Sequence, residues 1–148
     1  MKGIFLSSLI LFSASAFSMS KECNIATDIF TDAGLIMADG MQMAVNDGET
    51  LNNTTVNYDD FSIWYKKIYP KKISTVAKKY SEYKTVSSDN PIYLGMTSIL
   101  EANNFVKALD NFMKSKNEDD RQSIMESKER LEKSYYQLVE DCGKRYDR

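Results

Sequence analysis

The chain has 148 residues, and its 19 basic and 21 acidic side chains give a net charge of −2 at pH 7. This near balance predicts no general affinity for nucleic acid. The chain contains no histidine, which excludes Ser-His and Cys-His nucleophile systems, haem held by an axial histidine, and di-iron sites built on Glu-x-x-His. The sequence also lacks a glycine-rich phosphate loop, a dinucleotide fingerprint and a calcium-loop pattern.

The first eighteen residues have the composition of a secretory signal peptide. Lys2 precedes an apolar run that ends at Phe12, and the segment 13–16, Ser-Ala-Ser-Ala, supplies the small residues that signal peptidase requires. The apolar run is too short to cross a hydrocarbon core of about 30 Å as a helix. We therefore predict a leader over residues 1–18, cleaved within two residues of that boundary, and a single helical domain over residues 19–148.

We expect the remainder of the chain to be a soluble domain with one disulfide. No second long apolar run follows the leader, so we expect no transmembrane segment and a periplasmic or secreted protein. Cys23 and Cys142 are the only cysteines, and two thiols in a small exported protein are most simply explained as one bridge. A free thiol or an intermolecular bridge is the alternative.

Apolar residues recur at spacings of three and four over four segments, as on the buried face of a helix. The predicted helices span residues 20–46, 58–86, 91–114 and 117–143, with a polar loop over residues 49–57. Pro70 lacks the N–H that an interior helical position needs, so we expect a kink or a break near Tyr69-Pro70. The third segment is the most apolar and is expected to be central.

The seam of the first helix consists mainly of small residues, so we expect a neighbouring helix to approach it closely. The residues expected to face the core on this helix are Cys23, Ala26, Phe30, Ala33, Met37, Gly40, Met41 and Ala44. On the third helix the expected core residues are Ile92, Met96, Ile99, Ala102, Val106, Leu109 and Met113, widened by Leu100, Phe105 and Phe112.

The positions of the cysteines and the number of helices support each other. An even number of antiparallel passes brings the start of the first helix and the end of the fourth to the same end of a bundle. Cys23 and Cys142 lie at those two points. The sequence therefore predicts an all-α, up-down antiparallel four-helix bundle, with its second helix kinked or broken at Pro70 and its termini joined by the disulfide.

The sequence offers no candidate catalytic residue and no candidate metal site. Acidic clusters such as Asp59-Asp60 and Glu118-Asp119-Asp120 stand at predicted helix starts, where the helix dipole favours negative charge. A zinc site would need the two thiols that the disulfide is predicted to use. We therefore expect a non-enzymatic protein without a metal or other cofactor.

Positive charge is concentrated in the second helical segment. Seven lysines, Lys66, Lys67, Lys71, Lys72, Lys78, Lys79 and Lys84, stand there against one acid, Glu82. Lys67, Lys71 and Lys78 share a line on a helical wheel, opposite a ridge of tyrosine and aliphatic residues. This pattern predicts a surface for an acidic partner or an anionic envelope surface, and it is also typical of a solvated helix face.

The single tryptophan lies in the same segment. Trp64 shares a line with Phe61 and Ile68 that is displaced from the tyrosine ridge, so we expect it to be partly exposed near the kink. A tryptophan beside lysines is a typical anchor of a protein interface. The candidate partner-binding residues are therefore Lys67, Lys71, Lys78 and Trp64.

Two classes of function fit these features. We favour a non-enzymatic exported interaction protein, such as an inhibitor, an immunity factor, a chaperone or a secretion or assembly accessory. Such a protein would bind another protein, in the cell envelope or outside the cell, through a helix face. The alternative is a secreted effector, or a protein active on membranes or the cell envelope, that uses the lysine- and tyrosine-rich region on anionic surfaces.

Overall fold

The computed structural model describes residues 20–45 and 58–144, which form five α-helices and one short 3₁₀ helix. The helices are α1 (Lys21–Ala44), α2 (Tyr58–Lys67), α3 (Tyr69–Lys79), α4 (Pro91–Ser115) and α5 (Glu118–Lys144), with the 3₁₀ helix over Ser81–Tyr83. The predicted leader and the polar loop over residues 49–57 lie outside the described residues. The prediction of an all-α fold is confirmed.

Local capping chemistry explains where the helices begin. The side chain of Ser20 accepts a hydrogen bond from the backbone N–H of Cys23 at the start of α1. Asn90 caps α4 through its side-chain oxygen, and Pro91 occupies the first turn, where a missing N–H leaves no hydrogen bond unmade. Asn117 accepts from a backbone N–H in the first turn of α5. These starts agree with the predicted boundaries.

The second helical segment is interrupted at Ile68, two positions before Pro70. Pro70 has no N–H to donate to the carbonyl of Lys66, and its ring crowds that carbonyl. The chain nevertheless continues in helical turns, because Ile68 donates to the carbonyl of Trp64 over 2.9 Å and accepts from the N–H of Lys72 over 3.1 Å. The predicted interruption is confirmed, and α2 and α3 follow each other directly.

Helix α4 lies between α1 and α5 and packs along both of them. Helices α1 and α4 run parallel, because Gly95 lies beside Ala26 near their starts and Gly40 lies beside Val106 near their ends. A Cβ atom on Gly95 would stand 3.1 Å from the carbonyl oxygen of Ala26. The small-residue seam of α1 is therefore a site of close helix approach, as predicted, and all of its predicted core residues are buried.

The other helices run against this central pair. Lys72 and Lys79 on α3 reach Asp39 and Asp32 on α1, respectively, so α3 is antiparallel to α1. Helix α2 packs on both α1 and α4. Helix α5 returns along α4 after a short turn.

The prediction that Leu100 widens the apolar face of α4 is wrong. Its side chain is 57 % exposed, whereas Phe105 and Phe112 are buried as expected. Leu100 shares an outward line with Tyr93 and Lys107, seven positions away on either side. Helices α1 and α5 cover the flanks of α4 but leave this line in solvent.

Cys23 and Cys142 form a disulfide, as predicted. Their Cα atoms are 6.0 Å apart across a sequence separation of 119 residues, and both side chains are buried. The bridge joins the start of α1 to the end of α5. None of the helices in the described part of the chain combines the length and apolar character that a bilayer span requires.

Candidate functional site

The candidate site is an exposed basic surface on α2 and α3, which we call the basic face and define by Lys67, Lys71 and Lys78. All three side chains are exposed. On the opposite side of the same helical segment, Tyr69 and Tyr80 are buried against the core. Among the residues that the structure describes, no acidic side chain forms an ion pair with any of the three lysines. Their charges are therefore available to a partner.

Two neighbouring lysines have a different environment. Lys72 pairs with Asp39 of α1, and Lys79 lies 2.8 Å from Asp32 of the same helix. The hydroxyl of Tyr80 also donates to Asp32, over 2.7 Å. The hydrogen bond from Lys79 to Asp32 raises the pKa of that lysine. These two lysines pair with α1, whereas the basic face, together with the exposed Lys66 and Lys84, forms no ion pair with a described acid.

Exposed aliphatic side chains accompany the basic face. Ile63 is 53 % exposed and Ile68 is 44 % exposed. Ile63 stands four positions before Lys67, so the two lie on one line of α2. The surface therefore offers apolar contact area beside three positive charges, a combination that protein interfaces use. Ile63 is not among the predicted binding residues, although its spacing of four from Lys67 places both on one line of the helix.

The expectation that Trp64 is partly exposed is wrong. Its side chain is only 2 % exposed, and its ring lies 3.3 Å from the position that a Cβ on Gly40 would occupy. The absence of a side chain on Gly40 makes room for the indole between α1 and α2. Trp64 therefore belongs to the core beneath the basic face and offers no anchor to a partner in this conformation.

An aromatic layer supports the basic face from below. Phe61, Trp64, Tyr65 and Tyr69 have ring centroids within 5.5–5.9 Å of their neighbours. The hydroxyl of Tyr69 donates to the side-chain oxygen of Asn103 on α4, over 2.6 Å. Burial, together with the neighbouring Tyr65, raises the pKa of Tyr69 to about 12. The basic face therefore lies on helices that are firmly packed against the core.

Asp110 is the buried acid among the described residues, and it has a structural partner. Its carboxylate lies 2.5 Å from Nζ of Lys114, one turn later on α4. That hydrogen bond raises the pKa of Lys114. Within residues 20–45 and 58–144 there is no cluster of three or more side chains of the kinds that bind metals. The ion pair of this buried carboxylate with Lys114 thus lies within its own helix.

Comparison with known proteins identified no relative of this chain. No family model matches the chain, and no curated protein or solved structure is significantly similar to it. Function is therefore inferred from the chemistry of the surface.

Proposed function

We propose that this protein is an exported, non-enzymatic interaction protein that binds an acidic protein partner through the basic face. One observation carries the proposal: Lys67, Lys71 and Lys78 are exposed together and form no ion pair with a described acid. They stand on a chain whose net charge is negative. The partner would be a protein of the cell envelope or of the extracellular space.

Repulsion among the three lysines favours an acidic partner. Like charges on one face repel each other, and an acidic partner would relieve that repulsion. Electrostatic attraction of this kind mainly speeds association and orients the partner. Ile63 and Ile68, exposed beside the lysines, would supply the apolar contact that slows dissociation.

The proposed architecture is an up-down four-helix bundle in which α2 and α3 together form the second helix. Support comes from the pairwise directions, because α3 and α5 run opposite to the parallel pair α1 and α4. The bridge between Cys23 and Cys142 closes the bundle at one end. The disulfide and the leader-like N-terminal sequence together support export.

Crosslinking with paired charge variants tests the basic face. A photo-reactive amino acid at Ile63 should capture an acidic protein in the source cells, identified by mass spectrometry. Lys71→Glu/Lys78→Glu should reduce capture at least tenfold, because attraction becomes repulsion. Lys21→Glu/Lys107→Glu changes the net charge equally at exposed sites on α1 and α4, and it should leave capture unchanged.

Equal capture by both charge variants would reject the proposal. Circular dichroism and melting temperature should match the parent in both variants, because all four lysines are exposed. A further result would favour a membrane-active protein: no protein adduct at Ile63, together with binding to phosphatidylglycerol vesicles that Lys71→Glu/Lys78→Glu abolishes.

A further inference from the structure

The outer side of α5 carries a second charged surface, of opposite sign. We call it the acidic stripe and define it by Glu129, Glu132, Tyr136 and Glu140, which are all exposed and follow one line of the helix. Tyr136 is 67 % exposed in the middle of the stripe. The opposite side of α5 carries the core residues, among them Leu138. Glu132 pairs with Lys128 one turn earlier, and Lys133 stands on the same side of α5. The side chains of the stripe nevertheless lie outside the core, with their faces towards solvent.

We propose that the acidic stripe binds the basic face of a second copy of this chain. The proposal deepens the function proposed above and rests on it, because it names the acidic partner. Charge complementarity selects this occupant. Two acidic stripes facing each other would repel, and so would two basic faces, whereas one of each attracts.

The two surfaces also match in length. Glu129 and Glu140 are eleven positions apart, and so are Lys67 and Lys78. Lys67 ends α2 and Lys78 lies on α3, but the chain continues in helical turns through Ile68. At a rise of about 1.5 Å per residue, each pair therefore spans about 16 Å. Both end charges of one surface can therefore meet both end charges of the other.

The residues between the two end charges indicate whether the paired helices run parallel or antiparallel. With the two helices antiparallel, Lys78 faces Glu129 and Lys67 faces Glu140. Lys71, seven positions before Lys78, then lies opposite Tyr136, seven positions after Glu129, and an ammonium group over an aromatic ring is a favourable contact.

With the helices parallel, Lys71 would instead lie opposite Lys133, the basic residue beside the stripe. That contact places two like charges together. The antiparallel arrangement is therefore the one proposed.

A contact between two different surfaces leaves one of each free on the resulting pair. Such a heterologous interface continues to an open chain or closes into a ring. Two helices side by side form a small, polar interface, so the association should be weak and sensitive to salt. The assembly should dissociate as ionic strength rises from about 0.1 M to about 1 M, because the screening length falls from about 10 Å to about 3 Å.

Sedimentation equilibrium on protein recovered from the periplasm of an expression host tests the proposal. At low salt the average mass of the parent should rise with concentration to about twice the monomer mass or more. Lys67→Glu/Lys71→Glu/Lys78→Glu should be monomeric, and so should Glu129→Lys/Glu132→Lys/Glu140→Lys. An equimolar mixture of the two variants should associate again, because each retains the surface that the other has lost.

Lys133→Glu supplies an independent check with the opposite sign. Because this lysine lies beside the stripe, its reversal should strengthen association at low salt. A parent that stays monomeric at every concentration, or a mixture that fails to associate, overturns the proposal. If the parent is monomeric but the crosslinker at Ile63 still captures another acidic protein, the proposed function stands and only this inference fails. If neither partner is found, both fail.

Discussion

Tyr69 joins the second helical segment to the central helix through a single polar contact. Its ring is buried, and its hydroxyl donates to Oδ1 of Asn103 over 2.6 Å. Burial disfavours the phenolate, and the neighbouring Tyr65 adds to the effect, so the pKa of Tyr69 rises from 10.0 to about 12. A buried group with a raised pKa links stability to pH.

Stability should therefore fall as pH rises from about 10 to about 12. In this window an unfolded Tyr69 loses its proton while the folded one keeps it, so the unfolded state binds fewer protons and becomes more favourable. The contribution is fully present below pH 10. Thermal melts of the parent and of Tyr69→Phe should show a steeper loss of melting temperature for the parent.

The comparison between the two proteins removes the background of lysine titration, which they share. Tyr93→Phe, at an exposed tyrosine of α4, serves as the matched control and should follow the parent. Parallel curves for the parent and Tyr69→Phe would show that Tyr69 does not control this dependence. At pH 7 Tyr69→Phe should cost about 1 kcal/mol through the lost hydrogen bond.

At the scale of elements, the contact between α1 and α4 depends on a missing side chain. A Cβ on Gly95 would meet the Ala26 carbonyl oxygen at 3.1 Å and Cβ of Ile29 at 3.2 Å. The two nearest atoms of Ala26 belong to the backbone, which cannot move aside as the end of a flexible side chain can. The close distance between α1 and α4 therefore depends on the glycine at position 95.

Gly95→Ala should lower the free energy of unfolding by about 1–3 kcal/mol, because overpacking outweighs the gain in helix propensity. Gly34→Ala is the matched control on α1, since a Cβ there would meet nothing within 4 Å. It should raise stability by about 0.5–1 kcal/mol through reduced backbone entropy in the unfolded chain. Urea unfolding measures both changes, and an equal gain in both variants would contradict the close contact.

At the scale of the whole molecule, the Cys23–Cys142 bridge closes nearly the entire described chain. A cross-link over so long a loop is worth about 4–5 kcal/mol in the chain-entropy account. In a domain of this size, its removal should lower the melting temperature by about 10 °C or more. Two observables follow from the same bridge: a mass and a melting temperature.

Protein exported from an expression host should have the mass of a chain that lacks about the first 16–18 residues and two hydrogens. Cys23→Ser/Cys142→Ser should then melt about 10 °C or more below the parent. Reduction of the parent should give the same shift, which controls for the substitutions. An unprocessed N-terminus would argue against export, and equal melting temperatures would argue against a stabilising bridge.

The sequence alone determined the helical fold class, the helix starts and the buried seam of α1. These properties are local. Spacings of three and four define one side of a helix wherever that helix packs. Asn90 and Pro91 act within a single turn. For the two cysteines the sequence favoured one intramolecular bridge over free or intermolecular thiols, and the structure confirms that bridge.

Only the tertiary structure decided which flanks are covered and which charges are matched. Periodicity gives the apolar side of a helix but not its neighbours. It therefore misplaced Leu100, which none of the described helices covers, and Trp64, which fills the space beside Gly40. Charge spacing likewise could not separate Lys72 and Lys79, paired across to α1, from the basic face. Those pairings depend on distances between residues far apart in the chain, which are fixed only when the helices pack.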